Sequence, residues 1–385
     1  MNSELHLFII WEKARYNEKK ILKDMREKFT ILNVYEVEWS KKLFSKNLSR
    51  FYGEKLPKGS GKERHCGTGP FLLIVARDEK PTYGERHTSK GTDTLNVNMF
   101  DAKSLYRSWT GGGHKIHATN DPEETSHDLT LLLGINPQDF EKQHPTEWDG
   151  NVEKVKQDLV GANGWTDIKQ LFYVLNASIP YVVLRNFECF PDEYHMDTHG
   201  DIDLLTTNYR EMCYITNAKE VTRKKYRVYN EIRIAREEVL FDFRHVGDHY
   251  YDTKWEEAIL NERVMDEGGF YKPDAIHYFY SLFYHAIVHK PSVSQDYKER
   301  LVNMSKEYNV QELTYDMFQD TKQLKGYMDE FMNERHYTYS EPKDLTVYFN
   351  TDIADTEISS KRTMKMKIDR TLSPYKKRVK KLIKR

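Results

Sequence analysis

Two aspartates two positions apart, Asp201 and Asp203 in the run HGDIDLL at 199–205, are the sharpest chemical signal in the chain. On an extended strand, positions i and i+2 project from the same face, so the two carboxylates stand side by side. Like charges at that spacing repel unless a cation lies between them. Magnesium suits such a pair, with nucleotide phosphates completing its shell. A third carboxylate from a neighbouring strand would complete a two-metal site. Asp242 is the candidate: in FDFR it sits between Phe241 and Phe243, which point away from it on a strand. The plainer alternative is a solvated strand edge.

His117 carries a second kind of chemistry. In KIHATNDPEETSHDLTLLLG, 115–134, it ends a short apolar stretch just before a helix start. Asn120 or Asp121 can cap that helix, Pro122 suits its first turn, and Glu123 and Glu124 suit its positive end. An imidazole beside a helix N-terminus is placed to receive a phosphoryl group, with Glu124 as the neighbour that would orient the ring. The alternative is a histidine that only caps the helix or bonds within a loop. His195, His199, His245 and His249 lie near the carboxylates in sequence as candidate general bases or loop residues. His277, His285 and His289 fall in an aromatic-rich helical stretch and read as core rather than zinc ligands.

Alternating strands and helices must position these groups. Residues 5–11, 29–37 and 70–77 read as strands, 17–28 and 40–50 as helices, 55–69 as a loop and 80–114 as irregular. A short strand at 116–118 precedes the helix at 121–133. The polar, Pro-containing stretch 136–151 reads as a linker. Beyond it, 152–176 reads as a helix, 180–185 and 201–206 as strands, and 207–216 as a helix. Residues 224–235 and 238–245 read as a strand pair, and 253–335 as helical. The fold class is therefore α+β. The opening MNSELHLFIIWEKAR reads as a first strand and not a signal peptide, and no apolar run is long enough to span a membrane. Three scattered cysteines, Cys66, Cys189 and Cys213, exclude a disulfide framework and suit a reducing cytoplasm.

The net charge of −1 hides an asymmetry: Lys361–Arg385 holds twelve Lys/Arg and one acid, a net of +11, so the preceding residues sum to −12. In residues 372–385, Tyr375, Val379, Leu382 and Ile383 share one helical face among seven basic residues. That pattern predicts a peripheral anchor on an anionic membrane surface, or else a disordered basic end. A basic tail also suits nucleic acid, but the acidic body argues against extensive backbone binding.

Two family resemblances follow from these motifs. The run VVLRNF, a variable loop, GDIDLL and a later FDF strand resemble the minimal (polymerase β-like) nucleotidyltransferases, nearest their uncharacterised bacterial branch. The resemblance implies that Asp201, Asp203 and Asp242 hold Mg2+ and that a nucleoside triphosphate is the substrate. That family has Gly-Gly or Gly-Ser where this chain has Leu184-Arg185-Asn186. Arg185 and Asn186 would then contact the nucleotide, a guanidinium fork replacing backbone amides.

The first 134 residues resemble nucleoside diphosphate kinase. Phe8–Trp11 stands as its first strand, Gly69-Pro70 precedes FLLIVAR, and His117-Ala118-Thr119-Asn120-Asp121 stands at its phosphohistidine motif. Glu124 stands at, or one place from, its acidic residue. The resemblance implies nucleotide contacts from Tyr52, Arg86, Thr92 and Arg107. The chain departs from the family at Trp11-Glu12-Lys13-Ala14, where the phosphate lysine is missing or displaced to Lys13, and at His114, where the family has Asn.

The sequence thus predicts a ferredoxin-like, nucleoside diphosphate kinase-like domain (1–135), a linker (136–151), and a nucleotidyltransferase-fold domain with a helical extension (152–335). A loop-rich segment with a basic amphipathic tail (336–385) follows. The expected activity is magnesium-dependent nucleotidyl or phosphoryl transfer to an unnamed acceptor, in the cytoplasm or on the inner face of the membrane. By analogy with chains pairing such transferases and tails, it would serve bacterial surface-polysaccharide assembly. Two alternatives stand beside it: a phosphotransferase working through His117, and a non-catalytic nucleotide-binding scaffold on degenerate copies of both folds.

Overall fold

A computed structural model describes residues 3–88, 91–188, 190–192, 201–223 and 227–368. The tail at 372–385, Cys189, His195 and His199 lie outside the described residues. The chain forms two compact units. One is Met1–Pro180 with Arg210–Lys219 and Glu231–Val239. The other is Tyr181–Tyr209 with Glu220–Asn230 and Leu240–Arg385.

The first unit is built on a five-stranded sheet of β1 (Glu4–Ile10), β2 (Thr30–Glu38), β3 (Phe71–Asp78), β6 (Ile116–Ala118) and β7 (Glu153–Lys156), ordered β6-β1-β3-β2-β7. The central strands are near-continuous apolar runs because helices cover both faces of the sheet. On one face Phe8, Ile10, Leu72 and Ile74 pack with Ile21 and Met25 of α1 (Glu18–Lys28) and with Met99, Ala102 and Tyr106 of α4 (Val97–Trp109). Elsewhere in the unit Trp11 meets Trp39, Phe71, Phe44 and Phe51, the last two on α2 (Phe44–Phe51).

Several stretches read as irregular are ordered. A short helix α3 (Gly61–Cys66) lies within 55–69. Residues 80–114 hold the hairpin β4 (Tyr83–Thr88) and β5 (Gly91–Asn96), then the thirteen-residue α4. Asn96 caps α4, its side chain accepting from Asn98 N and Met99 N. The Gly-, Thr- and Asn-rich flanks masked a buried face at Met99, Ala102, Lys103 and Tyr106, the i, i+3, i+4, i+7 spacing of a helix.

The reading of α5 (Pro122–Leu133) holds in detail. Asp121 accepts from Glu124 N at 2.7 Å, Pro122 occupies the first turn, and Gly134 ends the helix in the left-handed region at φ 75°.

The compact units also cut the chain later than residue 135. The expected linker carries α6 (Pro137–Gln143). The expected helix at 152–176 is instead β7 followed by α7 (Ile168–Ser178). These elements stay with the first unit because β7 adds to the edge of β2 in parallel and α7 packs on α5.

The second unit centres on β8 (Tyr181–Val183), β9 (Ile202–Thr206) and β12 (Glu237–His245), in a sheet ordered β10-β11-β12-β9-β8 with β10 (Lys219–Arg223) and β11 (Arg227–Ile234). Strand β8 runs antiparallel to β9, and β12 parallel to it. Helix α8 (Tyr209–Thr216) follows β9 in the chain but belongs from Arg210 onward to the first unit. The second unit continues with α9 (Thr253–Asn261), the small hairpin β13 (Val264–Met265) and β14 (Tyr271–Lys272), α10 (Ala275–Val288), α11 (Gln295–Glu307) and α12 (Thr321–Glu334). Aromatic stacking joins the helices, Tyr280 lying 3.8 Å from Phe331. Among the described residues, no helix is long and apolar enough to cross a membrane.

Candidate functional sites

The larger site is a cleft of about 750 Å³ in the first unit. His117 lines it from β6, in register with Ile9 of β1. Its strand neighbours Ile116 and Ala118 belong to the core, so the alternation of the strand turns His117 to the other face. There Nε2 lies 2.7 Å from Asp128 Oδ2. The other Asp128 oxygen lies 2.9 Å from His127 Nδ1. Burial alone would raise the Asp128 carboxyl. The hydrogen bonds to His117 and His127 outweigh it and hold the group below the usual carboxylate range.

An ionised Asp128 fixes the tautomer, because a carboxylate only accepts. Nε2 therefore carries a proton and donates it, and in the neutral ring Nδ1 keeps its lone pair. No hydrogen bond reaches Nδ1 among the described residues. Phe51 and Tyr52 meet the imidazole edge-on, at 5.2 and 5.8 Å between ring centres.

Cations share the cleft with this pair. Lys62 Nζ sits 3.7 Å from the Tyr52 ring centre. Arg107 Nε donates to Ile116 O at 3.0 Å. Lys103 donates to Ala118 O and Asn120 Oδ1, and burial pushes its ammonium down to about 8.

The expected residues divide between the cleft and other places. Tyr52, Arg107, His114, His117 and Glu124 line the cleft. Arg86 and Thr92 do not. Arg86 is spent on Asp101, with bonds of 3.1 and 3.0 Å on the exposed surface, and Thr92 Oγ1 faces His87 across the hairpin. Lys13 is exposed and lines no part of the cleft.

Glu124 is not the group that orients His117. Its Oε2 accepts from Asn120 N at 2.7 Å, closing the helix start from the other side, and burial raises its carboxyl. Asp128 takes the orienting role. The sequence does hold a signal for it, an acid on the buried face of α5 beside Leu129, Leu131 and Leu132. An acid among leucines requires a partner.

The second site lies in the second unit and matches the expected convergence. Asp203 on β9 and Asp242 on β12 are paired in register on parallel strands. Asp201, Asp203 and Asp242 each offer an oxygen within 4.8 Å of the others.

Arg185 and Asn186 are nonetheless turned to the protein itself. Arg185 forks both oxygens of Asp203, at 2.9 and 2.7 Å, and reaches Tyr250 OH. Asn186 Oδ1 accepts from Arg300. Arg244 donates to Asp242 Oδ2 at 2.6 Å. Two of the three carboxylates, Asp203 and Asp242, are thus paired with buried guanidinium groups. The oxygen donor set suits a hard divalent cation, and the arginines reduce the charge left to attract one.

Of the neighbouring histidines, His285 and His289 are buried, His285 against Tyr250 OH at 2.6 Å, as the core reading expected.

No family model matches the chain, and no curated protein matches it. Among solved structures it is similar to the nucleoside diphosphate kinase of Aquifex aeolicus. That match has 18% identity and a TM-score of 0.23, and covers 33% of this chain and 92% of the other. A likeness at that score carries no conclusion about activity.

Proposed function

We propose that the chain is a nucleotide-related phosphotransferase that works through a phosphohistidine at His117. The observation that carries the reading is the His117–Asp128 pair: a buried carboxylate fixes the proton on Nε2 and leaves Nδ1 nucleophilic, in a cleft lined by Lys62, Lys103 and Arg107.

In the first half-reaction Nδ1 attacks the terminal phosphorus of a nucleoside triphosphate. The Nδ1–P bond forms, the P–O bond breaks, and its electron pair leaves on the nucleoside diphosphate. Lys62 and Arg107 offset the negative charge on the phosphate oxygens. Nε2–H stays on the ring, and the imidazolium charge that develops is balanced by Asp128. In the second half-reaction an oxygen of the acceptor attacks the same phosphorus, the N–P bond breaks, and the lone pair returns to Nδ1.

A second reading is favoured by the convergence of Asp201, Asp203 and Asp242. Those residues would hold Mg2+, which would polarise a nucleotide α-phosphate for nucleotidyl transfer. Arg185 and Arg244 fix the orientation of Asp203 and Asp242.

Incubation with α- and γ-labelled nucleoside triphosphates separates the two. Label from the γ position on the protein, lost in His117→Gln, supports the phosphohistidine. Label from the α position in products, lost on chelation of Mg2+, supports the carboxylates. Protein labelling that persists in His117→Gln contradicts the first reading.

A further inference from the structure

We infer that His127 is a positioning residue for His117: it holds one oxygen of Asp128 so that the other stays aimed at His117 Nε2. The effect on transfer rests on the phosphotransferase reading; the hydrogen-bond relay does not.

His127 and Asp128 are neighbours on α5, and both line the cleft. The two Asp128 oxygens are divided between two imidazoles. Oδ2 lies 2.7 Å from His117 Nε2, and Oδ1 lies 2.9 Å from His127 Nδ1. The Asp128 side chain is only 4% exposed, so solvent supplies little to either oxygen. An ionised carboxylate only accepts, so the nitrogen facing it is the donor on each ring.

The surroundings of His127 favour that role. Burial pulls its imidazole down, but the bond to Asp128 and the charges of Asp128, Glu211 and Glu124 outweigh burial and raise it. Nδ1–H faces Oδ1 whether the ring is neutral or charged, because the carboxylate selects that tautomer.

A carboxylate held by one bond can still turn about its terminal torsion, and a second bond fixes its plane. Another cation is at hand to draw a freed Asp128: Lys103 lines the same cleft and feels the Asp128 charge. Without His127 the carboxylate can turn toward that ammonium, and His117 loses the group that selects its tautomer. His127 need touch neither nucleotide nor phosphate, since it acts through Asp128. The likeness to nucleoside diphosphate kinase gives roles to His117 and Glu124 in this stretch and none to His127.

The test uses two readouts on the full chain. The first is the 1H–15N correlation spectrum of histidine-labelled protein, with the His117 signals identified by their loss in His117→Gln. At about pH 9, above the usual imidazole range, His117 should be wholly the Nε2–H tautomer. His127→Phe, which keeps a ring and removes the donor, should bring in the Nδ1–H form. His127→Asn, whose amide donates from near the place of Nδ1, should restore the single tautomer.

The second readout is single-turnover labelling from a γ-labelled nucleoside triphosphate. His127→Phe should slow it about tenfold, the loss of one charge-assisted bond, and His127→Asn should recover most of the rate. In a chain already carrying Asp128→Asn, His127→Phe should slow labelling no further, because a residue that acts through Asp128 has nothing left to act on. A His117 tautomer unmoved by His127→Phe, or equal slowing with and without Asp128, would overturn the inference. Absence of label from the unaltered chain counts against the phosphotransferase reading alone, and the ring spectra still decide the relay.

Discussion

Asp128 decides what His117 can do. Replacing it with Asn removes the negative charge that balances the ring and lets either tautomer form. Asp128→Asn should therefore slow phosphorylation of the protein by about 10²-fold in single-turnover labelling, with Asp128→Glu restoring part of the rate. An unchanged rate would show that Asp128 does not position the ring. The same substitution should alter stability on the acid side. The folded-state pKa of Asp128 is depressed, so its contribution is present above the unfolded value near 4 and is lost as pH falls through the folded value. Asp128→Asn should flatten that limb of a stability-versus-pH curve.

Lys103 gives a signature on the alkaline side. Its ammonium titrates at about 8, and only the protonated form attracts phosphate. Nucleotide affinity should weaken as pH rises through that value, and Lys103→Met should remove the step. At this scale the sequence showed His117 through its capped helix. It did not show the partner, because eleven residues and a turn separate His117 from Asp128, and they meet only because α5 packs on β1, the strand that β6 pairs with.

Elements carry the next tests. Repulsion among three converging carboxylates, taken by itself, would make Asp203→Asn neutral or stabilising. The structure reverses that expectation, since Asp203 is 6% exposed and forked by the buried Arg185 between β8 and β9. Removing one partner of a buried pair leaves the other charge uncompensated, so Asp203→Asn should cost about 3 kcal/mol in urea denaturation. A neutral or stabilising result would mean that the pair contributes nothing to the sheet. Asp121→Ala, which removes the cap of α5, should cost about 1 kcal/mol, and Asp121→Asn close to nothing. Helix α5 was legible because its cap, its proline and its terminal glycine all agree. Helix α4 was hidden because polar, glycine-rich segments border it on both sides, although its buried face keeps helical spacing.

For the molecule as a whole, each unit keeps its own candidate chemistry: an imidazole and cations in one, converging carboxylates with arginine partners in the other. The order of strands and helices around each centre could be read from apolar periodicity. The division between the units could not, because β7, α7 and parts of the chain beyond residue 209 join the first unit through long-range packing that leaves no local pattern. The central claim is that phosphate passes through one atom of this molecule. The direct measurement is to label the full chain from a γ-labelled nucleoside triphosphate, digest it under alkaline conditions that preserve phosphohistidine, and locate the phosphate by mass spectrometry and 31P NMR. The account predicts a single phosphate on Nδ1 of His117, absent from His117→Gln. Phosphate on Nε2, on another residue, or on His117→Gln would contradict it.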